Sequence, residues 1–361
     1  MKVLVTGGTG FVGSYLCDEL ARRGHEVTAL ARNPREADFD RDVETVRGDV
    51  TDYDAIEPHF EGQDAVVQLV ALSPLFKPDG GDDVHFDVHL GGTENAVEAA
   101  EAHGVERFVQ MSALGADPDG PTAYIRSKGQ AEDAVKASTM DWVIFRPSVV
   151  FGDGGEFVPF TRKLATPYLT PLPGSGKTRF QPVFVKELVR MLADGVEGTR
   201  TGPHADGEAE AVATDGGEDE ADDGNEAESE AADDGNEAAG EEAETADDEA
   251  PDDAVDEDPH VGRTYDIGGP EVLTLAQVAE LAWAAKRKPV SVLPVPMPLA
   301  GIGLSLLDAV PGAPMGSDQY RSLKFDNTTS NNGIGAFGWE ESDLTTLQSY
   351  LGVPDERLER S

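Results

Sequence analysis

Apolar residues along the first half of the chain follow two alternating rhythms. Short, largely apolar runs at Lys2–Thr6, Val27–Ala31, Glu44–Arg47, Ala65–Val70, Arg107–Met111 and Trp142–Arg146 read as strands. Between them, apolar residues recur at helical spacing over Phe11–Arg23, a short stretch near Tyr53–Phe60, Val84–His103, Thr122–Ser138 and Lys186–Asp194. Val12, Leu16 and Leu20 share one face of the first of these helices, and Gly24 suits its C-terminal stop. Strands that are apolar on both faces belong inside a parallel sheet covered by helices. The strand–helix alternation therefore predicts an α/β chain built on a doubly wound parallel sheet.

After Arg146-Pro147 the texture changes to loops rich in Gly and Pro, with Phe151, Phe157 and Phe160 close together. This stretch predicts a smaller substrate lobe at the C-terminal edge of the sheet, where open α/β sheets bind ligands. Strand-like Arg263–Ile267, a helix at Thr274–Lys286, a strand at Pro289–Leu293 and helices near Leu299–Val310 and Ser317–Leu323 follow later. Between the two parts, ADDGNEA occurs at Ala221–Ala227 and again at Ala232–Ala238, in sequence too polar to bury a core. The expected organisation is a nucleotide-binding domain over 1–151, a lobe assembled from 152–200 and 261–361, and a disordered acidic insertion over 201–260.

Charge sharpens that division. The chain carries 28 basic and 70 acidic residues, a net charge of −42, and the insertion holds 26 of the acids and none of the bases. The remainder is still acidic, and only 10 of the basic residues are lysines. An acid-rich, lysine-poor surface suits a salt-loaded cytoplasm, where charge repulsion is screened. So negative a surface excludes nucleic acid as a partner. The single Cys17 forms no internal disulfide, and Met1–Val5 leads directly into a strand, which predicts a cytoplasmic protein. The apolar stretch Val292–Val310 is broken by Pro294, Pro296 and Pro298 and reaches Asp308 before it could span ~30 Å of hydrocarbon, so a capping helix is expected and no transmembrane segment.

The chemistry starts at TGGTGFVG, where Gly7, Gly10 and Gly13 are spaced three apart between a strand and a helix. One glycine permits the tight turn, another lets backbone approach a pyrophosphate, and the third allows close helix–strand packing. The helix N-terminus adds N–H donors and a positive dipole end. At the end of the second strand a carboxylate selects NAD(H), whereas a guanidinium pairs with the extra phosphate of NADP(H). This chain has Arg32, with Arg35 behind it, which favours NADP(H) over NAD(H). Gly48-Asp49-Val50 follows the third strand; Asp49 either meets an adenine edge or caps a helix. In Tyr124-Ile125-Arg126-Ser127-Lys128 a spacing of four puts phenol and ammonium on one helix face. The ammonium is expected to lower the phenol's pKa and ready it for proton exchange with a carbonyl or carbinol.

These residues resemble an extended or atypical short-chain dehydrogenase/reductase of the NAD-dependent epimerase/dehydratase type. The narrower likeness is to the branch containing the 39-kDa accessory subunit of respiratory complex I, through Met111–Glu132, Arg146–Phe157, Gln181–Leu188 and Tyr265–Leu281. It covers nearly everything except the acidic insertion. The resemblance implies a Rossmann-type domain holding a dinucleotide against Gly7, Thr9, Gly10, Phe11, Val12, Gly13, Arg32, Asp49, Val50, Ala71, Tyr124, Lys128, Pro147, Val149 and Val150. It also implies Tyr124 as acid/base, Lys128 as its partner on the nicotinamide ribose, and Ser112 as the remaining catalytic hydroxyl. Ala113 stands where catalytic relatives usually carry Ser or Thr, and losing such a donor costs ~10²–10³ in rate. Two functions follow: an NADP(H)-dependent oxidoreductase or epimerase acting on an unidentified small molecule, or a non-catalytic, cofactor-bound subunit associated with a respiratory complex, peripheral to the membrane.

Three further motifs are set aside. Gly174–Thr178 ends like a P-loop but has Pro171 at the leading glycine position and no suitable strand before it. His85 and His89, with Asp82, Asp83 and Asp87 nearby, match a metal site but are better explained as a polar helix face. Asn327-Thr328-Thr329 matches a glycosylation acceptor, irrelevant inside a cell.

Overall fold

The largely apolar run Lys2–Thr6 (β1) is an interior strand of a seven-stranded parallel sheet. Its other strands are Glu26–Ala31 (β2), Glu44–Arg47 (β3), Ala65–Gln68 (β4), Arg107–Met111 (β5), Asp141–Pro147 (β6) and Arg263–Ile267 (β7), in the order β3-β2-β1-β4-β5-β6-β7. This computed structural model describes residues 1–34, 38–76, 78–203, 258–295, 321–322 and 324–354.

Alternation along each strand divides the core between two faces. On one face Val3, Val5, Val27, Ala29, Val67 and Val143 pack beneath Phe11–Arg22 (α1) and Val185–Glu197, which is numbered α5 below. On the other, Leu4, Leu30, Val66, Phe108 and Ile144 pack beneath Gly92–Ala102 (α2) and Ala123–Lys136 (α3). A buried ion-pair cluster fastens α1 to α5: Arg23 bonds Glu19, Asp194 and Glu197 at 2.6–2.8 Å.

The smaller lobe has its own core of Phe151, Phe157, Val278, Leu281 and Leu347. Phe157–Leu164 (α4) and Leu275–Ala284 (α6) enclose it, α6 starting from a capping box between Thr274 and Gln277. Tyr168–Pro173 pairs in parallel with Val290–Val295, so a strand does precede Gly174–Thr178. Gly174–Gly176 forms only a 3₁₀ turn, however, with no α-helix to complete a phosphate loop. The helices expected at Leu299–Val310 and Ser317–Leu323 lie, except for Arg321 and Ser322, outside the described residues.

Two segments grouped with the lobe by sequence belong to the main sheet. β7 extends the sheet beside β6, with Tyr265 opposite Phe145, and α5 covers its face. The edges of the region expected to be an insertion are also built into the fold. Asp258 pairs with Arg107, and buried His260 stacks on Phe337 at 4.6 Å while bonding Tyr265 and the Thr199 carbonyl. Most of the remaining acidic region, 204–257, lies outside the described residues.

The glycine turn shows why side chains are missing there. Gly7 adopts φ +74° and donates to the Leu30 carbonyl at 2.8 Å. A Cβ on Gly13 would stand 2.3 Å from the Gly7 carbonyl oxygen and 2.8 Å from Gly8. Gly13→Ala is therefore expected to lower unfolding free energy by about 1–3 kcal/mol or more in chemical denaturation. Gly335→Ala, with nothing within 4 Å of the added methyl, should stay within about 0.5 kcal/mol of wild type.

Candidate active site

The strand order reverses at β1, which has β2 on one side and β4 on the other. A cavity of about 780 Å³ opens at the C-terminal ends of these strands, where such sheets bind ligands. Every residue expected to touch the dinucleotide borders this cavity except Lys128. The turn fits a pyrophosphate, because a Cβ on Gly10 would meet only the Gly7 carbonyl oxygen, at 3.1 Å, leaving bare backbone elsewhere. Gly10 is also the N-cap of α1 and has no side-chain cap, so the first-turn N–H groups keep their capacity for an anion.

Arg32 is exposed at the end of β2 and makes no hydrogen bond to any described residue. Arg35 lies outside the described residues. Asp49 does not cap the short helix Tyr53–Ile56, whose N-cap is Asp52. Instead one of its oxygens accepts from the Thr51 N–H and hydroxyl at 3.1 and 2.9 Å, which shapes the turn at the cavity rim.

A second cavity, of about 430 Å³, adjoins the first on the lobe side. Tyr124, Ala113, Phe157 and the segment Pro147–Val149 border both. Lys128 is buried on the next turn of α3, its Nζ donating to the Met111 carbonyl at 3.1 Å. Burial pushes the Tyr124 phenol up to about 12 and the Lys128 ammonium down to about 8. This corrects the expectation of a lowered tyrosine pKa: desolvation, not the lysine charge, governs the phenol. Ser112 borders the first cavity, but its hydroxyl is buried beside Glu132, a carboxylate held by Arg146 at 2.6 and 2.7 Å.

His85 and His89 do not form the polar, solvated helix face expected of them. No metal-binding cluster occurs among the described residues. The expected continuous helix widens into a π-helical turn over Phe86–Gly91, and both imidazoles are buried. Each packs edge-on against the Tyr124 ring, at 5.7 and 5.3 Å. His89 Nε2 accepts the Leu72 N–H at 2.9 Å, so the proton sits on Nδ1 and is donated to Ser127 Oγ, also at 2.9 Å. Ser127 in turn donates to the Tyr124 carbonyl at 2.9 Å. The chain links the cavity wall after β4 to the helix turn carrying the phenol.

Asn327, for which the sequence offered only a glycosylation match, borders the second cavity and positions its wall. Its Oδ1 accepts from Ser148 Oγ at 2.7 Å and from the Val149 N–H at 3.1 Å, fixing the segment shared by both cavities. Its carbonyl accepts the Gln181 N–H at 3.1 Å.

Comparison with known proteins agrees with this geometry. Residues 7–162 match an NAD(P)H-binding family model. The fold is Rossmann-like, and its first part is similar to NAD(P)H-binding proteins. Over 98% of its length it is 24% identical to NADH dehydrogenase (ubiquinone) 1 alpha subcomplex subunit 9, mitochondrial, of Arabidopsis thaliana, covering 76% of that protein. It is 31% identical to the 2-alkyl-3-oxoalkanoate reductase of Stenotrophomonas maltophilia over 54% of this chain and 65% of that one. It is 30% identical to a 3 beta-hydroxysteroid dehydrogenase/Delta 5→4-isomerase of Mycobacterium tuberculosis over 52% and 58%, respectively. Among solved structures, the UDP-glucose 4-epimerase of Thermus thermophilus shares the fold, with a TM-score of 0.58 and 20% identity over 99% of both chains. No helix of the described residues is long and apolar enough to cross a membrane.

The buried, neutral His89 makes a pH prediction. An unfolded chain protonates this imidazole below about 6.5, whereas burial holds it neutral in the fold down to about 2. Across that window the unfolded state binds the extra proton, so stability falls as pH drops. Between pH 7 and pH 5 the wild type should lose roughly 2 kcal/mol more unfolding free energy than His89→Gln, measured by urea titration at each pH.

Proposed function

We infer that the chain is an NADP(H)-dependent oxidoreductase that acts on a carbonyl or carbinol carbon. The observation that carries this reading is Tyr124 standing where the dinucleotide cavity meets the second cavity. When bound, the dinucleotide supplies or takes up the hydride. The glycine turn and the first turn of α1 hold its pyrophosphate, and the segment at Pro147–Val150 borders the cavity's far end. Tyr124 holds a proton for the substrate oxygen. Burial raises its pKa, so the phenol is protonated at neutral pH, the state from which it can donate to a carbonyl oxygen. Lys128 braces the β5 terminus through Met111, directly behind the cavity wall. The reductase and dehydrogenase named above support the reading through their own activities. Arg32, at the cavity's border after β2 and without an ion pair among the described residues, favours NADP(H).

A second reading rests on Ala113. This methyl faces both cavities where a hydroxyl would polarise a carbonyl, and the Arabidopsis relative is a respiratory-complex subunit. In that reading the dinucleotide stabilises a subunit that turns nothing over and docks at the surface of a membrane complex.

Tyr124→Phe separates the two. The oxidoreductase reading expects turnover to fall ~10²–10⁴-fold with cofactor affinity unchanged, followed by NADPH oxidation and NADPH fluorescence. Absence of turnover in the wild type across ketones, quinones and sugar nucleotides would contradict it. Arg32→Ala should weaken NADPH binding by about 10–100-fold, the cost of a lost charge-assisted contact, and leave NADH binding nearly unchanged.

A further inference from the structure

The second cavity is selective in what it offers. Leu75, Leu114, Ile125, Phe157, Phe160 and Phe180 contribute to a mainly apolar wall, and no Lys or Arg borders it among the described residues. The polar side chains around it are nearly all committed to the protein itself. Thr122 Oγ caps α3 by accepting the Ile125 N–H, and Thr161 donates to the Phe157 carbonyl. Ser148 and Asn327 bond each other, and Asp326 is paired with Arg179 at 2.7 Å. Ser322 is likewise engaged. Tyr124 is the exception, and it stands at the mouth shared with the dinucleotide cavity.

We propose that this cavity takes a neutral, predominantly apolar ketone, one whose single carbonyl meets Tyr124 while its hydrocarbon body fills the aromatic wall. The proposal rests on the oxidoreductase reading for its chemistry. The reaction would be a reduction: NADPH, held at the glycine turn, would supply the hydride for the carbonyl carbon, Tyr124 would give its proton to the carbonyl oxygen as the C=O π pair becomes the O–H bond, and water would reprotonate the phenolate once NADP⁺ and the alcohol leave. A sugar nucleotide is a poor occupant, because its pyrophosphate requires cations that this wall lacks among the described residues. The volume, about 430 Å³, is that of a small-molecule site.

The test uses the full chain saturated with NADPH and the neutral fluorescent probe N-phenyl-1-naphthylamine. Displacement of the probe is measured with 2-pentanone, 2-heptanone, 2-nonanone and UDP-glucose, and NADPH oxidation is read in the same samples. The expected result is saturable probe binding and displacement that strengthens about fourfold per added methylene, the ~0.8 kcal/mol of burying a CH₂. UDP-glucose should not compete. Ile125→Glu should weaken the probe and 2-nonanone tenfold or more while NADPH affinity holds; the chain-length series on the unaltered protein stands independently of that variant. No probe binding, a flat series, or displacement by UDP-glucose as effective as by 2-nonanone overturns the proposal. Graded displacement without NADPH oxidation upholds the ligand class and defeats the oxidoreductase reading. Reduction of NADP⁺ by UDP-glucose in a parallel sample loaded with NADP⁺, with the ketones inert, does the reverse.

Discussion

The fold depends on a contact that leaves no room for a side chain. α1 begins so close to the end of β1 that a methyl on Gly13 would overlap the Gly7 carbonyl, and one on Gly8 would overlap Ala29. That approach sets the helix N-terminus at the switch point of the sheet and bares the backbone around Gly10. Everything that makes the cavity useful is arranged around it. β2 delivers Arg32, the turn after β3 delivers Asp49, and β5 and β6 deliver Ala113 and Pro147 to the same edge. The anion-binding end of α1 is a consequence of packing geometry before it is a functional device.

The reactive end is governed by desolvation. Tyr124 packs edge-on against two buried imidazoles and Lys128 lies wholly inside, so burial shifts both toward their neutral forms. The sequence spacing correctly puts the two on neighbouring turns of one helix, but spacing says nothing about water. Neutrality also runs through His89, which holds the loop after β4 to α3 only while Nε2 is free to accept a hydrogen bond. The same helix turn is thus a wall of both cavities and is tied from behind by the histidine, while Asn327 and Ser148 fix the other segment shared by both cavities.

The local elements of the first half were legible because continuous apolar runs and helical periodicity carry them. Lys2–Thr6, Glu44–Arg47 and Arg107–Met111 have the expected ends, and the glycine spacing located the cavity. Long-range pairing was not legible. β7 joins β6 across more than a hundred intervening residues, and nothing in Arg263–Ile267 alone distinguishes a sheet strand from a lobe strand. His85 and His89 looked solvated because Asp82, Asp83 and Asp87 surround them in sequence; the π-helical turn instead brings both imidazoles inward. Asn327 was hidden for a related reason, since its work is done on Ser148 and Val149, far away in the chain.

The central claim is that the glycine turn and the strand ends around it form one dinucleotide site per chain. Titration of the purified full chain with NADPH and with NADH, followed by nicotinamide fluorescence, tests it most directly. The account predicts saturable binding at one equivalent, tighter for NADPH. Saturation by neither dinucleotide would contradict it.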